Sequence, residues 1–155
     1  MTDRFKIDFE KVFEHVTTPL VVSEPNPPNV LLFVNNEFKK LTQYSDSELI
    51  GINPGKLLQR NSHIETRHLI RDRLNSFRPI DILLRNYKKD GTLYWAECHI
   101  HPVIEKLIPI YWVGMIFDVT ESVVDILSRL DSISETVKEN FKILREDCDK
   151  IINNT

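Results

Sequence analysis

The 155-residue sequence predicts an α+β domain built on an antiparallel sheet and followed by one long helix. Two short apolar runs near the N-terminus precede a stretch of helical segments, and three longer strand-like runs follow. Strands, then helices, then strands again argue for an antiparallel sheet with its helices segregated to one side. The last thirty or so residues differ, with apolar residues recurring every seven positions, the repeat of a helix that meets another along one seam.

Phe5, Phe9, Val12, Phe13 and Val16 recur at helical spacing among charged residues and predict an amphipathic helix of about three turns, ending before Thr17-Thr18-Pro19. Residues 20–23 and 30–34 are apolar enough for a strand pair. The prolines and asparagines of 24–29 form the turn between them. Short helices are expected over 36–42, 45–50 and 54–58. Ser62, with Glu65 three residues on, makes a capping box for a longer helix to about residue 77, with Ile64, Leu69, Ile70 and Leu74 as its buried stripe. Arg78-Pro79 stops that helix. Strands over 81–86, 92–104 and 108–119 complete the sheet. The first two are joined by Lys88-Lys89-Asp90-Gly91, whose Asp-Gly pair supplies the positive backbone angles of a hairpin turn.

In the C-terminal stretch Val123, Leu130, Val137, Leu144 and Ile151 are spaced by seven, and Ile126 and Ile133 hold the companion position of the first two heptads. Asn140 and Asp147 then replace that companion, and Phe141 and Cys148 take over one residue along, as on a stripe that slides around its helix. A signalling or dimerisation helix fits this pattern. So does an amphipathic helix packed back on its own sheet. The expected organisation is an N-terminal helix over 1–14, a domain over 15–121 and a coiled-coil-like helix over 122–155.

Composition narrows the function classes. Apolar residues make up 41%, charged residues 28%, and the formal net charge is −3. Basic clusters reach only two residues, as in Lys88-Lys89 before Asp90, so no nucleic-acid footprint is expected. The sequence has no apolar run of membrane-spanning length and its N-terminus has no apolar core of a signal segment, which points to a soluble cytoplasmic protein. Cys98 and Cys148 stand without metal-type spacing and read as free thiols of a reducing compartment. The sequence has no Gly-rich phosphate loop, nucleophile elbow or kinase motif, and no enzyme activity is expected.

Five segments carry a resemblance: Phe33-Val34-Asn35-Asn36-Glu37-Phe38, Leu41-Thr42-Gln43-Tyr44, Glu48-Leu49-Ile50-Gly51-Ile52-Asn53, Asn86-Tyr87-Lys88-Lys89-Asp90-Gly91-Thr92, and Gly114-Met115-Ile116-Phe117-Asp118-Val119-Thr120-Glu121. In order and spacing residues 15–121 resemble the PAS superfamily, and within it the light-oxygen-voltage branch. The resemblance implies a five-stranded antiparallel sheet cupping short helices around an internal pocket. In that branch a cysteine after the Asn of the helical turn forms a photoadduct with flavin; Pro54 holds the place here, suited to the first position of a turn capped by Asn53.

Carried over residue by residue, the flavin contacts thin out. Asn86 matches one binding amide and Arg71 one phosphate-binding arginine. Leu57-Leu58-Gln59 resembles the Leu-Gln pair, with Gln59 one residue late. The second amide is Ala96, the switch glutamine of the last strand is Ile116, and the arginine after the cysteine is Gly55, with Lys56 or Arg60 as substitutes. Losing two amide contacts costs roughly 2–6 kcal/mol, about 30-fold to more than 10⁴-fold in affinity. No cofactor is therefore the first expectation. FMN or FAD bound through Asn53, Gln59, Arg71 and Asn86 is the alternative.

Alternation along the strands sends Ile82, Leu84, Asn86, Ala96, Cys98, Ile100, Trp112, Gly114 and Ile116 inward, around a pocket that holds a small apolar ligand or its own side chains. Leu83, Tyr87, Trp95, Tyr111, Val113, Met115 and Phe117 face outward. That is too apolar a surface for bare solvent, so a terminal helix or a second subunit should cover it. His63 and His68 read as solvent-facing, although some haem-binding relatives ligate iron from this helix. His99 and His101 share a face without an evident third ligand, and no metal site is expected. Glu48 and Lys89 match a surface ion pair. The functional expectation is a sensory PAS domain without adduct chemistry that signals as a homodimer, or to a protein partner, through its sheet face and terminal helices. The alternatives are a flavin redox or photoreduction sensor and a ligand-free adaptor.

Overall fold

In the computed structural model, which describes residues 7–59 and 63–153, five strands form one antiparallel sheet in the order β2-β1-β5-β4-β3. β1 (Leu20–Ser23) pairs with β2 (Leu31–Val34) on one side and with β5 (Ile108–Asp118) on the other. β4 (Leu93–Glu105) lies between β5 and β3 (Ile80–Tyr87). Four short helices, α2 (Asn36–Thr42), α3 (Asp46–Leu49), α4 (Gly55–Leu58) and α5 (Ile64–Asn75), separate the two strand sets. Residues Met1–Val119 form one compact unit and Thr120–Thr155 a second, whose described part is the helix α6 (Thr120–Asn153).

Asn35 shows why the chain turns from strand to helix where it does. As N-cap of α2 its Oδ1 accepts from Phe38 N at 3.0 Å and from Leu20 N at 2.9 Å, while its Nδ2 donates to Thr18 O at 2.8 Å. One amide thus satisfies a helix terminus and pins the start of β1 beside it. The other end of α2 stops at Gln43 in the left-handed region, φ 67°, and Gln43 reaches the β3–β4 hairpin through Asp90. Lys89 Nζ meets the Glu48 carboxylate at 2.8 Å, the ion pair expected from the sequence. Lys89, together with Ser45, holds the Glu48 carboxyl far below the usual carboxylate range, at about 2. In the hairpin itself only Gly91 takes a positive φ, 91°, and Asp90 contributes its carboxylate to Thr92 N instead.

Two helix expectations are corrected. The N-terminal helix α1 is a single turn, Phe9–Val12, rather than about three, because Phe13 already leaves helical geometry. Phe5 lies outside the described residues. Phe9 stacks edge-on against Tyr111 at 5.1 Å and Phe13 lies 5.9 Å from Phe33, so aromatic contacts with the sheet hold this segment where helix propensity does not. The stripe of α5 is only half buried: Ile70 packs against the core and Leu74 lines the cavity, but Ile64 is 53% and Leu69 49% exposed. Ser62 and its capping box lie outside the described residues.

The core lies between the inner sheet face and α2–α4, where Leu31, Phe38, Leu49, Leu58, Leu84, Tyr94 and Ala96 are all buried. Trp112 is buried with them and donates from Nε1 to Pro25 O at 3.1 Å, tying β5 to the β1–β2 turn. No described helix is long and apolar enough to cross a membrane.

Candidate functional site

The alternation expected for the inner face holds. Leu84, Asn86, Cys98, Ile100, Trp112, Gly114 and Ile116 line a partly open cavity of about 150 Å³, with Leu58, Ile70 and Leu74 from α4 and α5 on its other side. Cross-strand pairing brings Cys98 opposite Ile116 and Ile100 opposite Gly114, so the strands β4 and β5 build one apolar wall. β1 approaches Gly114 closely: a Cβ there would lie 3.1 Å from Val21 Cγ2, so the Val21 side chain would have to give way to a larger residue.

Pro54 follows the sequence expectation. Its φ of −62° and ψ of −26° are helical, Asn53 Oδ1 accepts from Gly55 N at 2.9 Å, and Asn53 Nδ2 donates to Pro28 O at 2.7 Å. Asn53 therefore caps the turn and ties it to the β1–β2 connection. Pro54 and Gly55 face the cavity without a reactive group.

Of the residues singled out for cofactor binding, Asn53, Gln59 and Asn86 line the cavity, whereas Arg71 is exposed on α5 and is not among the lining residues. Lys56 is likewise exposed, and Arg60 lies outside the described residues. No charged side chain lines the cavity among the described residues. Ala96 is completely buried, at 0% exposure, one pleat along from Cys98, and Ile116 presents a hydrocarbon where the resemblance implies a glutamine.

Asn86 is the anomaly of this wall. It is 2% exposed, and its Oδ1 is a buried side-chain atom without a hydrogen-bond partner. Among the described residues its Nδ2 meets only Tyr94 Oη, at 3.5 Å, the outer limit of a hydrogen bond. Tyr94 went unremarked in the sequence as a site residue, although the period of two that turns Asn86 and Ala96 inward also turns Tyr94 inward. Burial raises the Tyr94 phenol pKa well above its ordinary value and pushes the Cys98 thiol up to about 12. Both groups are neutral hydrogen-bonding surface, and Cys98 is a poor nucleophile in this state.

On the opposite face Trp95, Tyr111 and Val113 are half-buried, while Leu83, Met115 and Phe117 are 46%, 40% and 39% exposed. Tyr111 is covered by Phe9. His99 and His101 have a shared neighbour that sequence spacing did not reveal. Asp81, opposite His99 on β3, places Oδ1 2.7 Å from His99 Nδ1 and 3.5 Å from His101 Nε2. The Asp81 contact raises the His99 pKa above its ordinary value and lowers that of Asp81. These groups form a surface polar cluster, and no set of metal ligands occurs among the described residues. His63 and His68 are both exposed.

Comparison with known proteins fits this architecture. Residues 19–121 match the PAS domain family. Phototropin-1A of Oryza sativa subsp. japonica is 28% identical over 144 residues, covering 86% of this chain and 16% of that protein. A blue-light photoreceptor of Listeria monocytogenes is 29% identical over 135 residues, covering 81% of this chain and 53% of the relative. A blue-light-activated histidine kinase of Brucella canis is 33% identical over 96 residues, 61% of this chain and 20% of the kinase. The chain thus spans about half or less of the length of these relatives. Among solved structures, an RNA-binding light-oxygen-voltage receptor superposes with a TM-score of 0.71 at 25% identity, over 85% of this chain and 40% of that one. The light-oxygen-voltage protein of Rhodobacter sphaeroides, at 24% identity and a TM-score of 0.66 over 74% of this chain and 69% of that one, shares the fold. The chain belongs to the PAS domain family, as a sensory domain of the light-oxygen-voltage-like kind.

Proposed function

We propose that this chain is a sensory PAS domain that forms no cysteinyl adduct and converts a change in its cavity into a change at its outer sheet face. The observation that carries this reading is Asn86, a buried amide with an orphaned oxygen on the cavity wall. Leaving such an atom unpaired costs about 1–3 kcal/mol. Ligand occupancy that pairs it recovers that energy, which gives the cavity a reason to be filled. The earlier expectation of no cofactor gains no support from this wall, nor from a set of relatives that are blue-light receptors.

Flavin is the second reading, favoured by that kinship and by the match at Asn86. Its fit is partial. The amide can meet one edge of a flavin, but about 150 Å³ is below the roughly 300–1,000 Å³ of a cofactor-sized pocket. The position 116 side chain carries no hydrogen-bonding group, and no cation lines the cavity to meet a phosphate among the described residues. A three-ring cofactor needs the Leu58–Ile70–Leu74 wall to move outward. In either reading the thiol of a photoadduct is missing at Pro54.

Transmission follows from the pleat. Cys98 of β4 and Ile116 of β5 face the cavity, while Met115 and Phe117, the immediate neighbours of Ile116, face outward. A ligand that shifts the β4–β5 pair therefore shifts the apolar outer surface with it. That surface and the heptad stripe of α6 favour a homodimer: Ile126 and Leu130 are each 55% exposed. Val137, Leu144 and Ile151 lie among the side chains not described. Sedimentation of the full chain at high micromolar concentration should give a dimer, and Phe117→Asp should give a monomer. A monomeric wild-type chain at that concentration would overturn the dimeric part of this reading.

A further inference from the structure

We infer that His99 is a proton-controlled latch on the outer sheet face. As an imidazolium it bridges Asp81 and Glu97 and favours docking of a second copy of this chain. Without its proton it releases one carboxylate and weakens that contact. The inference rests on the dimeric reading of this face and names the condition that governs it.

The sheet register puts His99 between two strands. It lies opposite Asp81 of β3 on one side and Met115 of β5 on the other. Its Nδ1 is 2.7 Å from Asp81 Oδ1, and its Nε2 is 3.2 Å from Glu97 Oε1. An ionised carboxylate only accepts hydrogen bonds, whereas a neutral imidazole has one donor and one acceptor. In either neutral tautomer one ring nitrogen therefore turns a lone pair toward a carboxylate. The imidazolium, with a donor on each nitrogen, satisfies both contacts. Asp81 first, and Glu97 after it, accordingly raise the His99 pKa above its ordinary value.

The ring also meets Phe117 at 5.9 Å and 77°, so the latch lies within the apolar surface rather than apart from it. Other charged groups on this face are few. His101 shares Asp81, with Nε2 3.5 Å from Oδ1, and Arg85 of β3 lies over Trp95 at 5.9 Å. β5 offers Val113, Met115 and Phe117 here, none of them charged. The α1 turn, which carries Glu10 and Lys11, meets the sheet at Phe33 and Tyr111 instead. Among the described residues no further hydrogen-bond or ion-pair partner reaches the His99 ring. A two-fold contact places the same patch on both copies. Loss of the proton then leaves both carboxylates of each copy uncompensated as docking removes water, which opposes the contact.

The test is sedimentation equilibrium of the full chain from about pH 6 to about pH 8.5, across the histidine range, with NMR of the His99 ring on the same protein. The dimer dissociation constant should rise by about 2-fold to 30-fold, the span for one half-exposed ion pair in each of two copies. His99→Gln should remove most of that rise. In the wild type both ring nitrogens should carry a proton at the acid end. Asp81→Asn and Glu97→Gln should each lower the titration midpoint. That midpoint should also climb with protein concentration, because a proton that favours the dimer is held more tightly by it. The concentration series uses wild-type protein, so it decides the matter even if a variant does not fold. A dissociation constant level across the range, or a rise undiminished in His99→Gln, overturns the inference and leaves the dimer standing. A midpoint moved by Asp81→Asn and not by Glu97→Gln overturns the bridge. A chain monomeric throughout overturns the dimeric reading itself.

Discussion

Replacing Asn86 by leucine should make the ligand-free protein more stable, which is unusual for a change at a residue only 2% exposed. The wild-type amide is buried with Oδ1 unpaired, and its hydrogen bond to Tyr94 Oη is 3.5 Å long. Removing a buried group in that condition recovers about 1–3 kcal/mol, and the long contact returns little of it. Leucine also adds apolar surface beside the cavity, where Leu84 and Ile116 already form the wall and space is available, so no overpacking penalty follows. Urea unfolding monitored by tryptophan fluorescence and far-ultraviolet dichroism should show a higher midpoint with an unchanged slope. For a chain of 155 residues that gain amounts to a rise in melting temperature of roughly 2–12 °C. A loss of stability beyond about 1 kcal/mol would mean that Asn86 is satisfied in the ligand-free fold, and the reasoning about an unfilled site would fail.

Other perturbations test the frame around the site. Asn35→Ala removes the acceptor for Phe38 N and Leu20 N together and should cost about 2–4 kcal/mol in urea unfolding, more than an ordinary helix cap; a cost under 1 kcal/mol would show that Asn35 is no junction. Leu107 is 95% exposed at a φ of 67°, so Leu107→Asn should relieve backbone strain and raise stability by up to about 1 kcal/mol in the same assay, with no burial lost. The His99 ring, followed by proton NMR, should titrate above the ordinary histidine value, and Asp81→Asn should bring it back down. Because its folded pKa is raised, His99 contributes stability fully below about pH 6.5 and loses it as pH rises through the raised value. Asp81 runs the other way: its pKa is lowered, so its contribution is present above about 3.9 and is lost as pH falls through the lowered value.

Much of this fold is legible in the sequence because its signals are local. α2 begins after an asparagine cap and ends at Gln43 where the sequence places it, and the period of two along β3–β5 assigns each cavity residue to its face. What escaped depends on partners distant in the chain. Phe9 and Phe13 have helical spacing, yet their contacts are with Tyr111 and Phe33, so tertiary packing decides their conformation. Ile64 and Leu69 recur at helical spacing yet are exposed, because periodicity marks a stripe without saying what packs against it. Asp81 joins His99 only through the β3–β4 register. The orphaned oxygen of Asn86 is likewise invisible in sequence, because its condition depends on what Ala96, Ile116 and Tyr94 fail to offer it.

The most direct measurement is the absorbance spectrum of the purified full chain before, during and after blue illumination. With Pro54 on the helical turn and the Cys98 thiol buried and protonated, no blue-absorbing band should bleach and recover in the dark without oxygen and without an added electron donor, whatever ligand the cavity holds. A flavin-type band that bleaches and returns under those anaerobic, donor-free conditions would contradict the account at its centre, since recovery without an oxidant would require a photoadduct from a residue that this site does not provide.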